Sequence, residues 1–432
     1  MDINTLINLK NDNKELNEEQ YDFFVSSYLA DKISDEEATK LLKAIFNNGM
    51  SEQELLGYTK SLVNSGETIT WDTPNNVDKH STGGVGDKVS IIVAPILKSL
   101  DISVSKISGR SLGHTGGTVD KLEAIPNFNP DISKEQFVKL VNENKIAVIS
   151  QLPELVPGDK KLYSLRDVTG TVSSMPLIAA SIMSKKIAAG AKYIILDVKY
   201  GSGSFNKTIE DARELGNAMK LIGESFDRKV EIIISSMEQP LGYAIGNGVE
   251  VNESIRFLKG LEQPEDLKEL IYAVVSEFLI IINGVSKEEA FKLIDESISS
   301  GKAYKAFIDW AVSQGASESD IDAELYFQPK FKTYIRTEKA GYINFKDVEQ
   351  FGVVTRDLLK TGRREKGDIV LPFTGMRLRV KLGDYVEKFD YLSAIYSEKE
   401  LTPEEYETFK SLFTIQDDKP TVPPIIAEVI KW

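Results

Sequence analysis

The two histidines of this 432-residue chain both lie in glycine-rich runs. His80 falls in the segment Lys79–Asp87, and His114 falls in the segment Ser108–Asp120. Each segment joins glycines and hydroxyl side chains to a cationic side chain, so backbone amides and a charge can surround an anion together. This combination predicts a phosphate-binding site.

The first glycine run fits neither the P-loop motif nor the Gly-x-Gly-x-x-Gly fingerprint of dinucleotide-binding proteins. By itself, Gly83-Gly84-Val85-Gly86 is as typical of an ordinary turn as of a binding loop. Hydroxyls and cations recur around it, and these favour the binding loop. They are Lys79, Ser81, Ser90, Lys106, Ser108, Arg110 and Thr118.

A third group of polar residues lies in the segments Tyr163–Thr169 and Ser181–Lys186. Ser181 and Lys185 are four residues apart, so on a helix they share one face. A lysine on such an apolar helix is usually a surface residue, and Arg166 would more often form an ion pair, with Asp167 as its partner. Clustered in this way, the donors can instead read the carbonyl edges of a heterocycle.

Composition narrows the class of protein. The chain has no cysteine, a formal net charge of −14 and 41% hydrophobic residues. The absence of thiols suits a reducing compartment, and the acidic balance argues against a broad nucleic-acid surface. No stretch approaches the roughly 20 apolar residues of a spanning helix, and the N-terminus does not resemble a signal peptide. We therefore predict a cytoplasmic protein of two or three domains that binds neither nucleic acid nor membrane.

The helices and strands that must position these polar residues can be predicted from the sequence pattern in chain order. Three capping-box patterns, beginning at Asn17, Ser34 and Ser51, predict helices in residues 1–65. Buried strands are then predicted at Ser103–Ile107, Ile146–Ser150, Tyr193–Val198 and Val230–Ser235, with helices at Lys134–Glu143, Ser174–Ala189 and Ile209–Phe226. This alternation predicts an α/β domain with a largely parallel sheet. Ligands bind at the carboxyl ends of such strands, where the glycine runs fall.

The pattern of apolar residues changes in about the last hundred residues. Helical patterns at Asp266–Asn283 and Lys287–Ser299 give way to short alternating stretches with glycine turns, so residues 335–432 are predicted to form a separate α+β domain. Phe373–Val386 resembles a biotinyl or lipoyl hairpin, which would make this region a carrier module. A carrier needs a modifiable lysine at the hairpin tip, and none is present. We interpret the region as structural support for the cleft.

Two of these segments resemble the signatures of a known family. Lys79–Asp87 and Ser108–Glu123 are similar to the signature segments of thymidine and pyrimidine-nucleoside phosphorylases. The similarity continues through Arg166–Lys186, Asp197–Lys199 and Gln239–Ala244. It covers essentially the whole chain, more loosely after about residue 330. The resemblance implies an enzyme that splits a pyrimidine nucleoside with inorganic phosphate, with inversion, into free base and pentose 1-phosphate.

The resemblance also implies residue roles, with phosphate as co-substrate and no organic cofactor. The implied phosphate-binding residues are Lys79, His80, Ser81, Ser90, Lys106, Ser108 and Thr118. The implied base-binding residues are Tyr163, Arg166, Ser181 and Lys185. His80, Arg166 and Lys185 would be catalytic, with His80 supporting a base carbonyl or proton transfer. His114 is expected to support the phosphate loop, and Asp120 and Glu123 to orient it.

The implied architecture is an α/β domain plus a small all-α domain, a nucleoside phosphorylase/phosphoribosyltransferase-like fold with the active site in the cleft between domains. Residues 1–65 and 158–189 would form the helical domain, which carries the base-binding residues and forms a homodimer. Residues 70–157 and 190–330 would form the α/β phosphate-binding domain. The C-terminal α+β domain would follow.

Two positions depart from the family pattern. Some broad-specificity bacterial members bind a potassium ion, and the matching positions here are Gly86, Lys88, Leu241, Ala244 and Glu253. Lys88 stands where a threonine is found. If that ligand is a backbone carbonyl, the ion survives; if the Lys88 ammonium folds towards Glu253, it replaces the ion. Tyr200 also stands where we expect a smaller residue, with an effect on the cleft.

Substrate range and reaction class leave alternatives. Lys106 resembles the broad-specificity enzymes, so we expect both uridine and thymidine to be accepted, with a strict thymidine phosphorylase as the alternative. An anthranilate-type phosphoribosyltransferase of the same fold would need a magnesium–pyrophosphate site, for which no acidic cluster is convincingly placed. A non-catalytic nucleoside-binding protein is a further alternative.

Overall fold

The computed structural model describes residues 1–111, 113–322, 327–365 and 367–432. Leu112, within the second glycine-rich segment, lies outside the described residues, as do residues 323–326 near the end of the predicted α/β domain.

Four helices form the N-terminal unit. Their N-terminal caps follow the sequence prediction, because Asn17, Ser34 and Ser51 each accept a hydrogen bond from the third helical residue and complete a capping box. The three predicted capping boxes are therefore confirmed. The helices are α1 (Ile3–Asn11), α2 (Glu18–Leu29), α3 (Asp35–Asn48) and α4 (Glu52–Asn64).

The central part alternates strands and helices. Its elements are β1 (Asn76–Ser81), α5 (Val89–Ser99), β2 (Ser103–Ile107), α6 (Thr118–Leu122), α7 (Lys134–Asn144), β3 (Ile146–Ile149), α8 (Pro157–Thr169), α9 (Met175–Ala188), β4 (Tyr193–Tyr200), α10 (Ile209–Ser225) and β5 (Lys229–Ser236). The strands lie in the order β5-β4-β1-β2-β3, and all neighbouring pairs are parallel. The predicted parallel sheet is confirmed, but β1, its central strand, was not among the predicted strands. Its polar residues (Asn76, Asp78, Lys79, His80, Ser81) hide the apolar signal of a buried strand.

Both faces of this sheet are covered. In β4, Ile194 and Leu196 belong to one apolar cluster, whereas Ile195 between them belongs to the other. Successive strand residues point to opposite faces, so the sheet separates two cores. One core also contains the N-terminal helices and α8–α10, and the other contains α5 and the later helices.

Helices α8 and α9 pack against the N-terminal helices although residues 65–156 of the chain lie between α4 and α8. Helix α8 contacts α2, α3 and α4, and α9 contacts α4. Leu162 and Leu177 are buried in the same cluster as Tyr21 and Leu62. We propose on these contacts that residues 1–65 and 158–189 form one discontinuous helical unit.

The remaining elements are β6 (Ala244–Gly246), α11 (Gly248–Leu258), α12 (Glu265–Asn283), α13 (Lys287–Ser299), α14 (Lys302–Ser313), α15 (Glu318–Asp322), β7 (Phe331–Arg336), β8 (Gly341–Phe345), α16 (Val348–Leu359), β9 (Gly375–Leu378), β10 (Tyr385–Val386), β11 (Tyr391–Ser397), α17 (Pro403–Lys410), β12 (Phe413–Gln416) and β13 (Ile426–Ile430). Two small sheets have the orders β6-β9-β11-β7 and β10-β8-β12.

Residues 335–432 were predicted to form a separate domain, but the final strand of this region belongs to the large α/β sheet. Strand β13 leaves the C-terminal region and pairs antiparallel with β5, with Ile430 opposite Ile232. Without it, β5 would be a bare apolar edge of the large sheet, and such edges are usually covered. The chain end therefore completes the α/β sheet.

In the described ranges no single helix is long and apolar enough to cross a membrane, although the bent pair α12 and α13, at 116° to each other, meets the length and composition criteria together.

Candidate active site

The carboxyl ends of β1, β2 and β4 lie side by side at one edge of the large sheet. Because these strands are parallel, the residues at their ends meet there although they come from distant parts of the chain. His80 is in register with Leu196, and Ser81 is in register with Asp197. This edge therefore collects the first glycine-rich segment, the residues after β2, and the Asp197–Lys199 segment.

A buried ion network fixes Lys79. Its Nζ atom lies 2.8 Å from Oδ2 of Asp197 and 3.9 Å from Oδ2 of Asp87. Lys199 binds the same Asp197 carboxylate at 2.8 Å. Burial by itself would lower the pKa of Lys79, but Asp197 and Asp87 raise it, and the net shift is upward. The Lys79 ammonium is therefore charged and rigidly placed beside the glycine loop, as a phosphate site requires.

Asp87 organises the first glycine loop. Its carboxylate accepts hydrogen bonds from the Ser81 hydroxyl and from the backbone amide of Val89 at 3.1 Å. Burial would raise the pKa of Asp87, but Lys79, Lys199 and Lys121 outweigh burial and lower it. The carboxylate is thus ionised, and it positions Ser81 at the mouth of the loop.

The two glycine-rich segments touch each other. Gly83 adopts a φ of +94°, and a Cβ atom placed there would lie 3.4 Å from Oγ1 of Thr115. Lys121 donates a hydrogen bond of 2.6 Å to the backbone oxygen of Asp87 and pairs with Glu250 at 2.7 Å. The prediction that both segments contribute to one site is therefore supported by direct contacts.

His80 is held as a neutral imidazole. Burial, followed by the charges of Lys186, Lys106 and Lys79, lowers its pKa well below the ordinary value. Its Nε2 atom is buried and has no hydrogen-bond partner in the parts of the chain that the structure describes. Buried polar atoms are normally satisfied, so this nitrogen is suited to a ligand.

Lys106 is the second cation of the phosphate side. Its Nζ atom donates to the backbone oxygen of Lys79 at 2.5 Å and lies 3.5 Å from Oδ1 of Asp78. Lys186 binds the other oxygen of Asp78 at 2.6 Å. Burial lowers the pKa of Lys106 to about 8, with Asp78 opposing this shift and Lys186 and Lys79 adding to it. Lys106 is thus the lysine of this group whose charge is most easily lost.

The predicted base-binding pair Ser181 and Lys185 is joined by Asp159. Ser181 donates to Oδ2 of Asp159 at 3.0 Å, and the Lys185 ammonium binds that same oxygen as well as the Ser181 hydroxyl at 2.9 Å. Lys185 also lines a small pocket whose other walls include Ile107 and Leu152. Ile107 ends β2, beside Lys106, so the cavity lies between the phosphate side and α9. Its mainly apolar walls and the Lys185 cation suit a heterocycle.

Arg166 makes a different set of contacts from the one expected. Its side chain is buried, and its guanidinium donates to the backbone oxygens of Thr171 (3.3 Å), Val172 (2.8 Å) and Leu177 (3.1 Å). Asp167, the alternative ion-pair partner, is exposed. Arg166 therefore ties the turn between α8 and α9, and a base could use only its remaining N–H groups.

The other predicted residues occupy the borders of the site. Ser90 lies in the first turn of α5, Ser108 directly follows β2, and Thr118 begins α6. Ser108 and Thr118 belong to the second glycine-rich segment and Ser90 follows the first by three residues, so their contact with phosphate remains a prediction. The ring of Tyr163 lies 5.7 Å from the Arg166 guanidinium carbon.

Comparison with known proteins agrees with this geometry. Residues 4–66 match the helical bundle domain and residues 73–304 the a/b domain of a glycosyl transferase family, and residues 342–416 match the pyrimidine nucleoside phosphorylase C-terminal domain. The pyrimidine-nucleoside phosphorylase of Bacillus subtilis (strain 168) is 47% identical over 395 residues, covering 90% of this chain and 91% of the relative. The chain belongs to the pyrimidine-nucleoside phosphorylase family.

Two further comparisons support the family and the fold. The pyrimidine-nucleoside phosphorylase of Staphylococcus epidermidis (strain ATCC 12228) is 44% identical over 430 residues and 98% of both chains. Among solved structures, the anthranilate phosphoribosyltransferase of Thermus thermophilus superposes with a TM-score of 0.59 at 16% identity, covering 72% of this chain and 99% of that chain. This structural likeness shows the shared fold alone.

His114 lies behind the phosphate loop. Its Nε2 atom is 3.3 Å from the backbone oxygen of Gly203, its Nδ1 atom is 3.6 Å from Glu349, and its ring packs against Phe205. Asp120 accepts a hydrogen bond of 2.6 Å from the Ser111 amide and pairs with Arg363. These contacts support the expected roles of both residues in holding the loop.

The positions matching family potassium ligands converge here on an ammonium. Nζ of Lys88 lies 2.7 Å from the backbone oxygen of Leu241, 3.0 Å from that of Ala244 and 2.6 Å from Oε2 of Glu253. The ammonium stands where these oxygens meet, so the residues present do not fit an additional potassium ion. Tyr200, the other departure, is buried in the apolar cluster of the helical side.

Sequence reasoning missed the carboxylates that hold the cations. Asp78, Asp159 and Asp197 are buried and pair with Lys106, Lys185 and Lys79. The sequence does carry a signal for Asp78 and Asp197. Each is an acidic residue within a short segment that has the length of a buried strand, and a buried carboxylate needs a cationic partner.

Proposed function

We propose that this protein catalyses the reversible phosphorolysis of pyrimidine nucleosides (uridine, thymidine and deoxyuridine) to free base and (deoxy)ribose 1-phosphate. Its family gives the reaction class. The observation that carries the assignment lies at the end of β2, where Lys106 contacts the backbone oxygen of Lys79 on the phosphate side and the next residue, Ile107, lines the mainly apolar pocket that Lys185 borders. An anion and a heterocycle can thus be held next to each other.

In the proposed reaction, a phosphate oxygen forms a bond to C1′ of the sugar as the bond from C1′ to the base nitrogen breaks. The bonding electrons leave with the base. Lys79, Ser81 and the loop amides hold the phosphate below the sugar, and the Lys185 ammonium donates to a base carbonyl on which negative charge develops. Positioning of the two reactants supplies most of the rate enhancement in a loose, dissociative cleavage.

Neutral His80 has a specific part in this proposal. A neutral imidazole carries one N–H donor and one acceptor nitrogen. Its N–H donor would support the second base carbonyl, on which negative charge develops as the base departs. Four lysines act on the His80 ring, and because the imidazole stays neutral, it does not add a further positive charge to this buried group.

Lys106 supports the broad substrate range. Its buried ammonium contacts the backbone oxygen of Lys79, and its chain neighbour Ile107 lines the pocket, so we expect Lys106 to lie near the junction of phosphate and sugar. A hydrogen-bond donor placed at the sugar favours a 2′-hydroxyl, so uridine as well as thymidine would be accepted.

The proposal extends to assembly and location. Phe46 and Val168 of the helical unit are exposed, which supports a homodimer through that unit, and we propose a cytoplasmic location. Closure of the cleft would bring Lys185 towards the bound phosphate. Light scattering combined with size exclusion checks the dimer.

The decisive experiment is base release from uridine, thymidine and cytidine, each with and without inorganic phosphate. Phosphate-dependent release from both uridine and thymidine is expected. Release from thymidine alone would identify a strict thymidine phosphorylase and contradict the role of Lys106. Absence of base release from all three nucleosides would favour a phosphoribosyltransferase or a non-catalytic nucleoside-binding protein instead.

A further inference from the structure

Lys88 is among the largest fully buried side chains of the molecule. It caps α5 immediately after the phosphate loop, and its ammonium contacts two backbone oxygens and one carboxylate, from Leu241, Ala244 and Glu253. A ring of carbonyl oxygens is what replaces the hydration shell of a potassium ion in proteins. Here the same kind of ring surrounds an ammonium that is covalently part of the chain.

Two glycines make this arrangement possible. A Cβ atom on Gly86 would lie 2.7 Å from the Leu241 oxygen and 3.1 Å from the Ala244 oxygen. A Cβ atom on Gly242 would lie 2.6 Å from Oε2 of Glu253 and 3.0 Å from the Lys88 ammonium. Both glycines have positive φ angles, +77° and +66°, so larger residues would be strained as well as crowded. The oxygens can therefore close around the cation from both sides.

The charges around Lys88 are already balanced. Glu253 also accepts hydrogen bonds from the Tyr243 and Ala244 amides, at 2.8 and 3.1 Å, so both of its oxygens are engaged. Next to it, Lys381 binds Asp266 at 2.6 Å and the Gly242 oxygen at 2.8 Å. Two lysines thus face two buried carboxylates. A further cation would add an uncompensated buried charge, which is strongly unfavourable.

The Lys88 contacts reach the phosphate loop directly. Besides following Asp87 in the chain, Lys88 fixes Leu241, whose amide donates to the backbone oxygen of Val85 at 3.0 Å. Val85 and Gly86 belong to the glycine loop. A cation at this point therefore determines how the loop is held.

We propose that the Lys88 ammonium acts as a built-in monovalent cation, so that the phosphate loop is fixed, and phosphorolysis proceeds, without potassium. The activity part rests on the proposed function. The structural part does not, because cation binding can be read from thermal unfolding alone.

The test compares the wild-type protein with Lys88→Thr and Lys88→Met. Each is assayed in potassium chloride, sodium chloride and tetramethylammonium chloride at equal ionic strength, with two readouts: the KM for phosphate in phosphorolysis, and the melting temperature. The wild type is expected to show the same KM and the same melting temperature in all three salts. Lys88→Thr opens the ring of oxygens and adds a hydroxyl, so it should gain a potassium site.

For Lys88→Thr, we expect the KM for phosphate to fall about tenfold and the melting temperature to rise by several degrees when potassium replaces tetramethylammonium, since a ligand stabilises the state that binds it. Lys88→Met should be destabilised in every salt, because its side chain fills the ring without a charge. Lys10→Thr is the matched control: Lys10 forms an equally buried pair with Glu54 at 2.9 Å in the helical unit, away from the loop. It should lose stability without gaining any response to potassium.

A melting temperature or a KM of the wild-type protein that improves specifically with potassium would overturn the proposal, and this measurement needs no variant to fold. An equal response of Lys10→Thr and Lys88→Thr to potassium would also overturn it. If no nucleoside is cleaved under any condition, the proposed function fails, while the melting data still decide the role of Lys88.

Discussion

The Lys79 ammonium and the Asp197 carboxylate lie 2.8 Å apart on the neighbouring parallel strands β1 and β4, both enclosed by protein. The carboxylate holds the ammonium at the carboxyl edge of the sheet, where the first glycine loop begins. A buried charge of this kind exists only because its partner is fixed by the strand register. The pair therefore links the order of the strands to the proposed capture of phosphate.

Replacing this lysine should separate phosphate binding from stability. We expect Lys79→Met to raise the KM for phosphate at least tenfold and to lower the free energy of unfolding by about 3–5 kcal/mol, because Asp197 loses one of its two cations. Steady-state kinetics and chemical denaturation measure the two effects. Lys10→Met removes a similarly buried lysine from Glu54 and should show the stability loss only. A KM for phosphate that changes equally in both variants would contradict the role of Lys79.

His80 should give the protein a sensitivity to acid. Its pKa is lowered by burial and by Lys186, Lys106 and Lys79, so the unfolded chain takes up a proton near pH 6.5 while the folded chain resists it. The stability from the neutral imidazole is then fully present above pH 6.5 and is lost as the pH falls towards the lowered pKa. When the pH is lowered from about 7.5 to about 5, the melting temperature of His80→Gln should therefore fall by less than that of the wild type.

The same variant tests catalysis. We expect His80→Gln to reduce kcat about 100-fold, in the range found when a donor to developing negative charge is removed or misplaced. His114→Gln serves as the control, because His114 contacts Gly203 and Glu349 behind the loop. It should reduce stability with a smaller effect on kcat. Equal losses of kcat in both variants would show that His80 has no special contact with substrate.

Lys106 should produce an alkaline limit. With a pKa of about 8, its ammonium is charged at pH 7 and is progressively lost above pH 8. The kcat/KM for uridine, which reports the free enzyme, should fall with an apparent pKa near 8. In Lys106→Met this step should disappear, and the preference for uridine over thymidine should drop. An unchanged uridine-to-thymidine ratio in Lys106→Met would refute the assignment.

Asp159 is expected to be a positioning residue for the base side. Its Oδ2 atom binds both the Ser181 hydroxyl and the Lys185 ammonium. Asp159→Asn should raise the KM for the nucleoside about tenfold or more while the KM for phosphate stays within about twofold, because the Lys79 cluster does not contact it. Asp159→Glu, which keeps the charge, should recover part of the loss. A parallel rise in both KM values would indicate a general structural defect instead.

The sequence by itself determined the elements and the chemistry. Capping residues at Asn17, Ser34 and Ser51 and short apolar runs are local signals, so the N-terminal helices, several later helices such as α7, α9 and α10, and four of the sheet strands could be placed from them. The residues of the phosphate side remain a prediction, which rests on the lysines and hydroxyls that cluster around the glycine-rich segments in one stretch of the chain.

Only the tertiary structure decided which buried lysine pairs with which buried carboxylate. Lys79 and Asp197, Lys106 and Asp78, and Lys88 and Glu253 are paired by strand register and by helix packing across as many as 165 residues. No local pattern encodes such pairs, because burial and partner are properties of the assembled sheet. For the same reason the sequence did not show that Arg166 binds backbone oxygens of the turn after its own helix, or that β13 covers an edge of the distant sheet. The chain sequence supplies the charged groups, and the fold, by removing them from water, requires each to have the partner it has.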